Sequence, residues 1–178
     1  IEIKTYLPNS RNLQANLRDI KEIEKIILTL PKEELENLYS RVGTEVPFDL
    51  DPKPGDGTHK STLFVYLTPE KDRKRTAYEI ANQLRNKFEE AQNIGLISKE
   101  NRINVKVLED GPPVGDPVNV EIRGDDFATL DKIAQEYINY LKTIDGVYDI
   151  KTDFEPGKLE FRYKVNEELA SRAKVSVY

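Results

Sequence analysis

The sequence has no cysteine and no methionine in its 178 residues. Disulfides, thiol catalysis and Cys-ligated zinc are therefore excluded, and no thioether is present to hold a soft metal such as Cu(I). Histidine occurs once, as His59. A metal site or a Ser-His pair would lack its partners around that residue, so its expected state is a solvated loop position. No apolar run approaches the roughly 20 residues that span a bilayer. Basic charge is not in excess either. The formal net charge is −5, which argues against a nucleic-acid partner, since that needs a basic face. It also weakens the case for an anionic membrane surface. The first residues carry a strand pattern rather than that of a secretory leader, so the chain is expected to be a segment of a longer protein.

What is present suits one large domain or two small ones. Hydrophobic residues make up 38% of the chain and charged residues 33%, enough for a core under a wet surface. Period-two alternation at Ile1, Ile3, Thr5 and Leu7 reads as a strand that Pro8 stops. Asn9 and Ser10 are candidate caps for a helix with apolar positions Leu13, Leu17, Ile20, Ile23, Ile27 and Leu30, a continuous stripe. Leu35–Gly43 reads as a weaker strand and Thr62–Leu67 as the strongest strand in the chain. Thr76 and Glu79 have capping-box spacing. They introduce a helix with its stripe at Ala77, Ile80, Ala81, Leu84, Phe88 and Ala91. A strand over Ile103–Leu108 closes this part. The order β-α-β-β-α-β suits a ferredoxin-like unit, an antiparallel sheet with both helices on one face.

Gly111-Pro112-Pro113-Val114-Gly115-Asp116-Pro117 is then a stiff connector, because three prolines and two glycines continue neither a helix nor a central strand. The pattern restarts beyond it. Val118–Arg123 reads as a strand, and Asp125 or Asp126 as the cap of a helix with apolar residues from Leu130 to Leu141. Asp145-Gly146 ends that helix. Val147–Phe154 and Leu159–Val165 read as strands, and Asn166 as a further cap. The expected fold class is α+β: a ferredoxin-like β-α-β-β-α-β subdomain over 1–110, a linker over 111–117, and a truncated β-α-β-β-α subdomain over 118–178. The absent last strand should leave a sheet edge in need of cover.

The residues that carry chemistry are few. Thr44–Lys60 reads as a long irregular loop of a kind that is often functional, and Val46-Pro47-Phe48 inside it is apolar. Asp49, Asp51 and Asp56 do not have EF-hand spacing. Gly55 and Gly57 fit no phosphate-loop fingerprint. The basic run Lys71–Arg75 precedes a helix N-terminus, where cations are mildly unfavourable, and reads as solvated surface. Tyr137 and Tyr140 read as core and rim of the third helix. Phe64 reads as sheet core or as pocket lining, and Phe48 as a plug of the core or as pocket lining.

Several stretches together resemble one family. They are Leu67-Thr68-Pro69 with Asp72-Arg73, Glu79-Ile80 and Leu84-Arg85; the run Gly111 to Gly124; Ile144-Asp145-Gly146-Val147; Glu155-Pro156-Gly157-Lys158; and Val175-Ser176. Their order and spacing are similar to the porter region in the second large periplasmic loop of resistance-nodulation-division (RND) efflux transporters, of the hydrophobe and amphiphile type. The resemblance implies a proton-driven pump of the bacterial inner membrane, an antiporter, with this segment in the periplasm. It implies a homotrimer working with a periplasmic adaptor and an outer-membrane channel on amphiphilic small molecules. No enzyme activity, cofactor or nucleic-acid partner is implied. The implied substrate-binding residues are Phe64, Phe48, Val46 and Tyr66, and Thr44, Pro47, Gly55 and Gly57 mark an implied switch loop. The metal-exporting branch is disfavoured by the missing Met and the lone His. The alternative is a stand-alone ferredoxin-like module that binds a small regulatory ligand.

Overall fold

The computed structural model describes residues 1–44, 56–108, 118–154 and 164–174. The first unit is built as its hydrophobic periods require. Strand β1 (Glu2–Tyr6) is followed by α1 (Leu13–Ile27), a hairpin of β2 (Leu35–Thr44) and β3 (Asp56–Leu67), α2 (Ala77–Asn93) and β4 (Arg102–Lys106). The strands form one sheet in the order β2-β3-β1-β4. Every neighbouring pair is antiparallel. This is the ferredoxin-like topology expected from the order of these elements.

Both helices lie on one face. Ile3, Leu63, Val65 and Val105 from the sheet meet Ile20, Ile23 and Ile27 of α1 and Ile80, Leu84 and Phe88 of α2, all buried. Successive strand residues alternate faces, so Glu2, Lys4, Tyr6, Thr62, Phe64 and Tyr66 project from the other side. Helix α2 starts with the capping box expected from its sequence. Thr76 Oγ1 accepts from Glu79 N at 3.2 Å, and Thr76 N donates to Glu79 Oε2 at 2.7 Å.

Helix α1 departs from expectation at its N-terminal half. Its cap is Asn12, whose Oδ1 accepts from Ala15 N at 2.9 Å, rather than Asn9 or Ser10. Leu13 and Leu17 are exposed, and Asn16 and Asp19 are buried in their place. The line that faces the sheet is Asn16, Ile20, Ile23 and Ile27, still spaced by three and four. Asn16 is acceptable there because its hydrogen-bonding groups are used. Its Nδ2 donates to Thr58 O at 2.8 Å and Lys60 O at 3.0 Å, and its Oδ1 accepts from Ser61 Oγ at 3.0 Å. Asp19 Oδ2 accepts from Ser98 N at 3.2 Å and Asn101 Nδ2 at 3.1 Å, which holds the turn between α2 and β4.

The expected loop Thr44–Lys60 is shorter than its proline and glycine content suggests. Thr44 closes β2 and pairs with Asp56, and residues 56–60 already belong to β3. Gly43, at φ +87°, sits at the register shift between Val42 and Thr44, a conformation suited to glycine. His59 is buried in β3, not solvated. The basic run also contributes to structure. Arg75 forms a two-pronged ion pair with the buried Glu34, and its second terminal nitrogen donates to Gln83. That pair holds the Glu34 carboxyl below its usual range, through the hydrogen bonds from Arg75 first of all.

The second unit has its expected helices, α3 (Phe127–Leu141), capped by Asp126, and the short α4 (Glu167–Arg172), capped by Asn166. The expected strands Val118–Arg123 and Val147–Phe154 are not in a ladder among the described residues. Alternation makes a segment eligible for a sheet, but only a hydrogen-bonded partner makes it a strand. The strand expected over Leu159–Val165 and the linker 111–117 lie outside the described residues, apart from Lys164 and Val165, which are not in a ladder. No residue of α3 is fully buried, and Tyr137 and Tyr140 are both exposed. Tyr137 is thus rim rather than core.

Candidate functional site: the open face of the sheet

The face of the sheet away from α1 and α2 is laid out by strand register. One row across it reads Tyr39, Phe64, Glu2, Lys106; the next reads Arg41, Thr62, Lys4, Asn104; a third reads Lys60, Tyr6, Arg102. Tyr66, opposite Asn37, extends the aromatic corner. The Tyr39 and Phe64 rings stack with centroids 6.5 Å apart and planes inclined at 24°. Such offset pairs add to the burial of their area. Tyr39 and Tyr66 are each about half exposed, at 50% and 51%. Strand geometry explains the cluster, since neighbours across an antiparallel pair hold their side chains in contact range.

At the opposite corner Tyr6 is flanked by two cations. Lys60 Nζ lies 5.9 Å and the Arg102 guanidinium 5.7 Å from its ring centre, within the range where a ring quadrupole attracts a cation. This corner opens into a cleft of about 320 Å³, where Tyr6, His59 and Arg102 face Asp131 of α3 and Phe154. Gly57 lies close to His59, and a Cβ there would come within 2.7 Å of the imidazole Cε1. A side chain at Gly57 would therefore require the imidazole to shift. Among the described residues, no group of three or more His, Cys, Asp or Glu side chains could hold a metal ion.

Of the residues singled out in the sequence, the structure brings Phe64 and Tyr66 together on this face. Phe64 is therefore not part of the core under the helices. Thr44 and Gly57 are ladder residues rather than loop residues. Val46, Pro47, Phe48 and Gly55 lie outside the described residues. Sequence reasoning missed Tyr39 and Tyr6. The signal for Tyr39 was available, because Asn37, Tyr39 and Arg41 alternate with Leu38, Ser40 and Val42. Only the pairing of β2 with β3 showed which aromatic it meets.

The model of the AcrB/AcrD/AcrF family matches residues 1–178. The chain belongs to that family. Its fold is also similar to an X-ray crystal structure of a heavy metal efflux pump, seen in two crystal forms with TM-scores of 0.68 and 0.69. Identity to both is 17%, over 99% of this chain and 18% of the pump chain. The family member described here thus spans under a fifth of the length of those pumps, and at this identity the likeness speaks for the fold. No curated protein matches the sequence. The resemblance to RND transporters is borne out at the level of family and α+β porter fold. No described helix is long and apolar enough to cross a membrane.

Proposed function

We propose that this chain is a substrate-contacting porter segment of a proton-driven efflux pump, and that the open face of its sheet forms one wall of the substrate cleft. The observation that carries this reading is the aromatic corner Tyr39–Phe64–Tyr66, partly exposed on a sheet face that neither helix covers. Apolar contact is non-directional, so such a wall accepts varied amphiphilic molecules. Transport then requires that the cleft bind its ligand differently in different states. A rigid sheet-and-helix unit that shifts as a body provides those states. Phe64 and Tyr66 would contact the ligand, with Phe48 and Val46 contributed by the loop and Thr44, Pro47, Gly55 and Gly57 bounding it as a switch.

In this reading the intact pump is a homotrimeric antiporter of the bacterial inner membrane, and this segment is periplasmic. A periplasmic adaptor and an outer-membrane channel complete the route, and protons are relayed in parts of the pump beyond this segment. Amphiphilic molecules are favoured over metal ions as cargo because the chain has neither Cys nor Met, the ligands that soft metals select. The family match over the whole chain favours the pump over a stand-alone regulatory module.

The test is Phe64→Ala in the intact transporter. Resistance to bulky apolar compounds should fall while the amount of protein in the membrane stays the same. Unchanged resistance across a broad compound panel would remove Phe64 from the site.

A further inference from the structure

The ladder positions of the open face carry a charge opposite in sign to that of the chain. Lys4, Arg41, Lys60, Arg102 and Lys106 are there, against Glu2 as the one acidic position in those three rows. The whole chain has a formal net charge of −5. The cations are not spread evenly around the aromatic residues. Tyr39, Phe64 and Tyr66 hold the β2–β3 corner; Arg41 and Lys4 stand in the next row, Lys60 and Arg102 in the third, and Lys106 lies beyond Glu2 in the row of Tyr39 and Phe64. Same-face neighbours along a strand are about 7 Å apart. Tyr39 and Arg41 are such neighbours, and the spacing suits a fused aromatic ring bearing one charged substituent.

We infer that this face selects anionic aromatic amphiphiles, molecules in which an apolar ring carries a carboxylate or sulfonate. The ring stacks at Tyr39 and Phe64, and the acid group reaches Arg41 and the neighbouring basic row. A guanidinium suits this role because its planar fork can donate two parallel hydrogen bonds to a carboxylate or sulfonate. A cationic amphiphile on the same rings would meet like charge. Apolar contact would hold it, but the basic row would oppose it. The inference deepens the proposed function and rests on it, since it names the ligand class of the same wall.

The experiment compares three probes that share one ring system: 2-naphthalenesulfonate, 2-naphthyltrimethylammonium and 2-naphthalenemethanol. Each is titrated into the 178-residue chain while backbone amide and ring NMR signals are followed. The sulfonate should bind about tenfold more tightly than the ammonium, as expected for one charge near partly screened cations. Its largest shifts should fall at Tyr39, Phe64 and Arg41. Arg41→Gln, an exposed change outside the core, should weaken the sulfonate by about threefold or more and leave the neutral alcohol unchanged, since it removes a charge-assisted hydrogen bond only. Arg41→Lys should restore part of the loss. Ammonium binding as tight as sulfonate binding on this face would overturn the charge selectivity and leave the cleft wall standing. If no probe shifts the face, both the wall and its selectivity fall. Concentration-dependent shifts of the same residues without probe would assign the face to a second copy of the chain, which also overturns the inference.

Discussion

The Asp149 carboxylate joins Arg85 at the β4 edge of the sheet and reaches the backbone of Val105. Its Oδ2 accepts from an Arg85 terminal nitrogen at 3.1 Å, and its Oδ1 accepts from the Val105 backbone N–H at 3.3 Å. The same Arg85 nitrogen donates to the Val105 carbonyl. The Arg85 guanidinium carbon also sits 4.1 Å from the centre of the Tyr148 ring. Strand β4 is an edge of the sheet, and edges expose unpaired backbone groups. At Val105 both outward-facing groups are satisfied by side chains, one of them from the second unit. Asp149 holds φ at +55°, in the left-handed region that Asp tolerates better than most residues.

Asp149→Ala should free the Val105 N–H. Its hydrogen exchange should speed up by about tenfold, consistent with roughly 1–2 kcal/mol for a lost charge-assisted hydrogen bond. Residues 145–154 should also lose protection. Asp149→Asn, which keeps an acceptor, should be milder. Equal exchange at Val105 in wild type and Asp149→Ala would mean that the carboxylate does not protect that edge.

The two phenylalanines of the first unit should respond differently to truncation. Phe88 is buried between α2 and the sheet, so Phe88→Ala should cost about 3–5 kcal/mol of unfolding free energy. Phe64 lies on the open face against Tyr39, so Phe64→Ala should cost about 1–2 kcal/mol, the pair term plus a partial loss of burial. Urea denaturation of the two variants measures both. A Phe64→Ala loss as large as that of Phe88→Ala would place Phe64 in a closed core.

The ion pair of Glu34 with Arg75 makes stability depend on pH in the acid range. Arg75 holds the folded-state pKa of Glu34 below the usual 4.5. The pair therefore contributes fully above about pH 4.5, and its contribution is lost as the pH falls through the depressed folded value. Glu79, bound to the Thr76 N–H and hydroxyl, and Asp126, bound to Thr129, shift in the same direction. The urea midpoint should be level near neutrality and fall below pH 4.5. Glu34→Gln should be less stable at pH 7 and should flatten part of that fall. A variant with the wild-type slope would exclude Glu34 as a source of the acid transition.

Asn16→Ala should destabilise by about 2 kcal/mol or more. It orphans the Ser61 hydroxyl and removes the donor shared by the Thr58 and Lys60 carbonyls, all close to the core. Asn16→Asp, which cannot donate to those carbonyls when ionised, should be at least as damaging. A cost of a few tenths of a kcal/mol in thermal or urea unfolding would show that water replaces the side chain without loss.

Local chemistry was legible in the sequence. Alternation at Ile3 and Thr5, the apolar spacing from Ile80 to Phe88, the Thr76–Glu79 box and the caps Asp126 and Asn166 each depend on residues a few positions apart. The β-α-β-β-α-β order follows from those elements. The tertiary structure decided the rest, because its partners are distant in the chain. Alternation shows that Phe64 and Val65 face opposite ways, but not which side the helices cover. Amphipathic spacing in α1 favoured Leu13 and Leu17 for the core, yet Asn16 is the residue buried there. The carbonyls that satisfy it belong to Thr58 and Lys60, more than forty positions on. Arg85 and Asp149 are sixty-four positions apart. Periodicity records which side chains share a face; folding determines what lies against that face, and so whether a polar group is orphaned or held.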